Sequence, residues 1–118
     1  MEISILDSIK QMLGIDPSDT NFDAELIIFI NGALMHVNQL GVGPDGYAIT
    51  SKDNVWSEVL LDRTDLGLVQ TDVYLRVRLI FDPPQNSFTL KAIQEQILET
   101  DWRIEINRPV IPVEVVSE

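Results

Sequence analysis

Apolar residues return at intervals of three and four along most of this chain, the spacing that lines one face of an α-helix. Between Ile3 and Leu13 they fall at Ile5, Leu6, Ile9, Met12 and Leu13, and Gly14 supplies a residue able to end a helix in the left-handed conformation. Asp16-Pro-Ser-Asp19 reads as a turn. Thr20-Asn-Phe-Asp23 reads as a variant capping box, with Asp23 where Glu or Gln is usual. The helix it opens carries Phe22, Leu26, Phe29, Ile30, Ala33, Val37 and Leu40 along one stripe. Ile27, Ile28, Leu34 and Met35 widen that stripe almost all round, as in a central helix or one pressed against a neighbour. Gly41 ends it.

Residues 41–53, rich in glycine, predict a long loop with a short extended stretch at Tyr47-Ala-Ile49. A loop of that length in a small chain points to contact with something else. Asn54 to Leu61 predicts a short helix bearing Val55, Trp56, Val59 and Leu60. Thr64 or Asp65 is placed to cap the next helix, Leu66 to about Phe81. Its Val69, Val73, Tyr74, Val77 and Ile80 favour strand by propensity, but the run is longer than strands usually are. Pro83 must end it. Asn86 or Ser87 then caps a last helix to Ile106, with Leu90, Ile93, Ile97 and Ile104 on one side and Leu98 and Trp102 flanking. The spacing therefore predicts an all-α fold, a small bundle of about five helices over 1–107.

Past Asn107 the pattern breaks. Arg108-Pro-Val-Ile-Pro-Val-Glu-Val-Val-Ser-Glu118 holds two prolines among β-branched residues and cannot be helix. Disordered tails are poor in Val and Ile, so 108–118 reads as an extended arm suited to pairing with another protein's sheet edge or groove. Pro109, Val110, Ile111, Pro112, Val113 and Val115 are its docking candidates. Arg78 and Asp82 stand at the i,i+4 spacing of an ion pair, which leaves Arg76 free for a partner. Tyr47, Ile49, Trp56 and Arg76 are the candidates for contact between subunits. Trp56 and Trp102 read as core first and interface second.

Composition narrows the chemistry. Nineteen acidic against 8 basic residues give the 118-residue chain a net charge of −11, which excludes nonspecific grip on phosphates or anionic lipid. Mean hydropathy is nevertheless slightly positive, at +0.09. A domain this size buries roughly two-thirds of its unfolded surface, so apolar residues are left over for contact. Zero cysteines remove disulfides, thiolate catalysis and Cys-based zinc sites. His36 is the only histidine, so no His pair or Ser-His-Asp triad forms within one chain. Asp16, Ser18 and Asp19 are interrupted by Pro17 and fail as a calcium loop. Gly41-Val-Gly43 lacks the third glycine and preceding strand of a dinucleotide site. No enzyme and no cofactor are expected. Met1-Glu-Ile-Ser-Ile-Leu-Asp7 lacks the basic and long apolar segments of a signal peptide, and no apolar run is long enough to span a bilayer.

Two stretches carry a resemblance: Ile30-Asn-Gly-Ala-Leu-Met-His-Val-Asn-Gln-Leu-Gly-Val-Gly-Pro44, and Tyr74-Leu-Arg-Val-Arg-Leu-Ile-Phe-Asp-Pro-Pro-Gln-Asn-Ser-Phe88 with Glu95-Gln-Ile-Leu-Glu-Thr-Asp-Trp-Arg103. With the spacing of five helices, they resemble the head–tail connector (adaptor) proteins of long-tailed bacteriophages and prophages. Phe81-Asp-Pro-Pro84 is the most specific part. The resemblance implies a structural virion protein at the head–tail junction, assembled in the bacterial host cytoplasm. It further implies a homo-oligomeric ring beneath the portal protein, of twelve copies if it follows a twelve-fold portal. Such a ring extends the DNA channel, without sequence-specific binding, and seats the next head-closure or tail-completion protein. It would also give the 108–118 arm the task of clasping the portal. The rival reading is an acidic DNA mimic that inhibits a nucleic-acid-binding protein. That accounts for the charge but not for the apolar arm or the scattered carboxylates.

Overall fold

Five helices form, in a computed structural model that describes residues 3–107: α1 (Ile5–Met12), α2 (Asp23–Gln39), α3 (Ser57–Leu60), α4 (Leu66–Phe81) and α5 (Ser87–Ile106). No strand forms among the described residues, so the fold is the expected all-α bundle. The arm candidates from Pro109 to Val115 lie outside the described residues.

Local chemistry sets the helix ends. Ser4 caps α1, its hydroxyl oxygen accepting from Asp7 N at 3.1 Å, and Gly14 closes it at φ 84°. Asn86 caps α5 by accepting from Phe88 N and Thr89 N. The expected capping box at Thr20 does not form. Phe22 is the cap residue of α2 and makes no side-chain cap, while the Asp23 carboxylate accepts from Lys10 Nζ at 2.8 Å. A lysine ammonium that is 1% exposed demands a counter-charge, and that demand outweighs a cap bond. Asp65 likewise forgoes capping α4. It takes a two-pronged bond from Arg63, whose guanidinium also donates to Ile104 O at 2.9 Å.

The central helix is α4, which packs against α1, α2 and α5. Val69, Val73 and Val77 meet Leu26, Ile30, Ala33, Leu34 and Val37 of α2 and Ile5, Leu6 and Ile9 of α1 in the main core. A smaller cluster of Leu75, Ile93 and Ile97 joins α4 to α5. Of the two roles foreseen for α2, the structure gives it the second: it is pressed against a neighbour, α4, and leaves Ile28 and Met35 each 67% exposed.

The 41–53 loop is pinned rather than free. The Asn31 amide donates to Ile49 O at 3.0 Å and accepts from Ile49 N at 2.7 Å, so one side chain replaces a strand partner. Asn38 Nδ2 donates to Val42 O and Gly43 O. Val42 and Ile49 are buried in the core. The helix expected over Asn54–Leu61 is only the single turn of α3, because Val55 bridges to Ser4 and Trp56 N donates to Ile3 O.

Candidate interaction surface

The residues foreseen as subunit contacts go to different places. Ile49 and Trp56 are core, 1% and 2% exposed, and Trp56 Nε1 donates to Ser8 Oγ at 2.8 Å. Their side chains leave nothing for a neighbour to touch. Tyr47 is half-buried, its hydroxyl donating to Glu58 Oε1 at 2.7 Å; burial and that bond push the phenol's pKa up. Arg76 is not free. Its Nε donates to Asp72 Oδ1 at 2.7 Å and its Nη2 to Asp101 Oδ2. No Arg78–Asp82 ion pair forms among the described residues; Asp82 closes α4 through its backbone, N donating to Arg78 O. Trp102 is not core either, being 60% exposed.

That exposure defines the first surface. Leu98, Trp102 and Ile106 recur every four residues along α5, and Phe88 lies in line with them near the helix start. All four are exposed, on the side turned away from buried Ile93, Ile97, Thr100 and Ile104. A helix in solution carries one apolar stripe, and α5 carries two. Leu98 to Ile106 covers about 12 Å of this side, at about 1.5 Å per residue, and Phe88 stands about 15 Å further toward the helix start with Lys91 and Glu95 between.

The second surface is a groove of about 310 Å³ between α2 and α4, lined by Ile28, Phe29, Gly32, His36, Arg76 and Ile80. Antiparallel packing sets it, since Phe22 at the start of α2 meets Phe81 at the end of α4. A methyl group added at Gly32 would meet nothing within 4 Å. Glycine inside a helix costs about 0.5–1 kcal/mol relative to alanine, and no packing within the chain requires it here. His36 stands half-exposed at the rim, Nε2 3.9 Å from Asp101 Oδ2.

Charge is arranged inward more than the formal count suggests. Asp23, Asp65, Asp72 and Asp101 are each ion-paired within the chain, so these four do not project as a phosphate-like array. Asp16 bonds Ser18 N and Oγ, which lowers its pKa and uses up the group that the calcium-loop reading considered. Among the described residues no three His, Asp or Glu side chains converge to hold a metal, and no helix is long and apolar enough to cross a membrane.

Sequence reasoning missed the α5 stripe and the Asp72–Arg76–Asp101 cluster. The stripe had a signal, the four-residue recurrence of Leu98, Trp102 and Ile106. The cluster had half of one, since Asp72 and Arg76 share an i,i+4 spacing but Asp101 lies on another helix.

No curated protein and no solved structure matches the chain. The sequence profile described as phage connector protein matches residues 5–110, all but the ends of the chain. That match spans the α2–α4 groove and the whole of α5, and with it the chain belongs to the phage head–tail connector family.

Proposed function

We propose that this chain is the repeating subunit of a connector ring beneath the portal, extending the DNA channel and seating the next closure or tail protein. The observation that carries the reading is the second apolar stripe of α5, exposed on a chain of the connector family. A ring closes through unlike surfaces, one on each side of every subunit. The α5 stripe and the α2–α4 groove share no residue, and both present apolar groups that the chain itself leaves uncovered. A second copy of the chain is the partner that supplies both at once. Trp and Arg, enriched at protein interfaces, occur here as Trp102 in the stripe and Arg76 in the groove.

The remaining parts have consistent roles. Residues 108–118, a unit apart from the 1–107 bundle, clasp the portal through Pro109 to Val113 and Val115. A charge of −11 per chain favours a channel wall that lets DNA pass without holding it. The protein acts by contact, with no catalytic step, after assembly in the host cytoplasm.

Purified virions test this. Quantitative mass spectrometry of virions carrying the parent chain, or the pair Leu98→Glu and Trp102→Glu, is compared against the portal protein. The expected result is near one to one for the parent and a loss of at least tenfold for the pair, with unchanged helical circular dichroism of the purified pair variant. Absence of the parent from virions overturns the connector reading. Full incorporation of the pair variant overturns the role of the stripe.

A further inference from the structure

A hydrogen-counting problem stands at the seam between α4 and α5, where Thr100 and Asp101 of α5 meet Asp72 of α4. The Thr100 hydroxyl oxygen lies 2.8 Å from Asp72 Oδ2 and 3.0 Å from Ile97 O, both placed as acceptors. A hydroxyl has one hydrogen. Ile97 O lies within α5 and already accepts a helix bond, so that hydrogen goes to Asp72 Oδ2. The shortage lies beside it. Asp101 Oδ1 is fully buried and has no donor among the described residues. The one guanidinium in the cluster, Arg76, serves Asp72 Oδ1 and Asp101 Oδ2 and makes no bond to Asp101 Oδ1. Two carboxylates thus share a single cation in a place where Asp72 is 0% exposed.

One additional proton settles that shortage. We propose that Asp72 holds a proton in the folded chain and donates it to Asp101 while accepting from Thr100, so that α5 is clamped to α4 by a neutral carboxylic acid. The cluster is then electrically balanced, Arg76 against Asp101, and an unpaired buried charge is avoided. Burial raises the pKa of Asp72 to about 7, helped by Asp101 and opposed by Arg76 and Thr100. Burial would raise Asp101 as well, but bonds from Asp72 and Arg76 outweigh it and hold that group below the usual aspartate value. The charged and titratable groups facing Asp72 are Arg76 on its own helix, Asp101 on α5 and, beyond Asp101, His36 on α2.

The clamp has a direction in pH. A carboxyl whose folded pKa stands above its unfolded one stabilises fully below about 3.8 and loses that contribution as pH rises to about 7. Separating α5 from α4 in that window exposes Asp72 to water and releases its proton. Any step of assembly that pries the two helices apart is therefore eased as pH rises.

Carbon-13 NMR of the aspartate side-chain carboxyls, on the full chain from pH 4 to 9, reads the proton directly. Asp72, assigned by its absence in Asp72→Asn, is expected to keep the shift of a carboxylic acid through pH 5 and to titrate near 7. An Asp72 signal already ionised at pH 5 overturns the proposal. Asparagine is the isostere of the protonated acid, with an oxygen for Arg76 and an NH₂ for Asp101. Asp72→Asn should fold, and its melting temperature should lack the decline shown by the parent between pH 5 and 7. A decline of equal size in both chains overturns the clamp. Should the variant fail to fold, titration of the parent by chemical-shift similarity still decides the question.

Discussion

Lys10 Nζ and Asp23 Oδ1 meet at 2.8 Å and join α1 to the first turn of α2. The ammonium is sealed, at 1% exposure, and Pro17 O at 2.9 Å is its other acceptor, whereas the carboxylate stays 28% exposed. The pair therefore fixes how the turn at residues 16–19 folds back, and the two partners are not equivalent.

Removing the two partners should give unequal results. Asp23→Ala leaves a buried charge without its partner and should destabilise the chain by about 3 kcal/mol, the low end for such pairs because water can reach the site. Lys10→Met removes charge and demand together and should stay within about 1 kcal/mol of the parent. Urea titration of both variants checks this; an equal loss would mean that the lysine stabilises through packing of its stem instead.

Asn31 holds the 41–53 loop by two bonds to the backbone of one buried residue, Ile49. Asn31→Ala strands a buried N–H and a buried C=O, at about 1–3 kcal/mol for each group left unmade. A loss of about 2–4 kcal/mol in denaturant titration is expected, with amide exchange at Ile49 accelerated well beyond that of the α4 core. Unchanged exchange at Ile49 would show that the loop is held by Val42 and Trp56 instead.

Phe81 meets Phe22 edge-to-face, centroids 5.3 Å apart at 78°, but Phe22 is 40% exposed and Phe81 is only partly buried. Phe81→Ala should cost about 2 kcal/mol, below the 3–5 typical of a fully buried ring. A loss above 4 kcal/mol in the same titration would place the ring deeper in the core than its exposure indicates.

Helix positions were legible in the chain because they are punctuated locally. Gly14, Gly41, Pro83 and Asn86 act within a turn of their own residue, and α4 and α5 fall within a residue of where periodicity puts them. Pairings between distant helices were not legible. Asp23 was assigned to a cap that Lys10 draws it away from, and Arg76 was left free because Asp101, 25 residues on, carries no local mark. Trp102 was misplaced for a related reason. Periodicity shows that two sides of α5 are apolar without showing which one the chain covers. Of the candidate surface, the groove was hidden until packing brought Ile28 of α2 beside Ile80 of α4.

The uncovered stripe of α5 and the charge of −11 act over different distances. Burial of apolar surface attracts only at contact, while the charges repel out to about 8 Å at physiological ionic strength. Two copies meeting in dilute solution therefore feel the barrier before the reward, and encounters are mostly unproductive. A template that already holds copies side by side removes that barrier. On the proposed function the portal would be that template, and the adhesive surface would act only there.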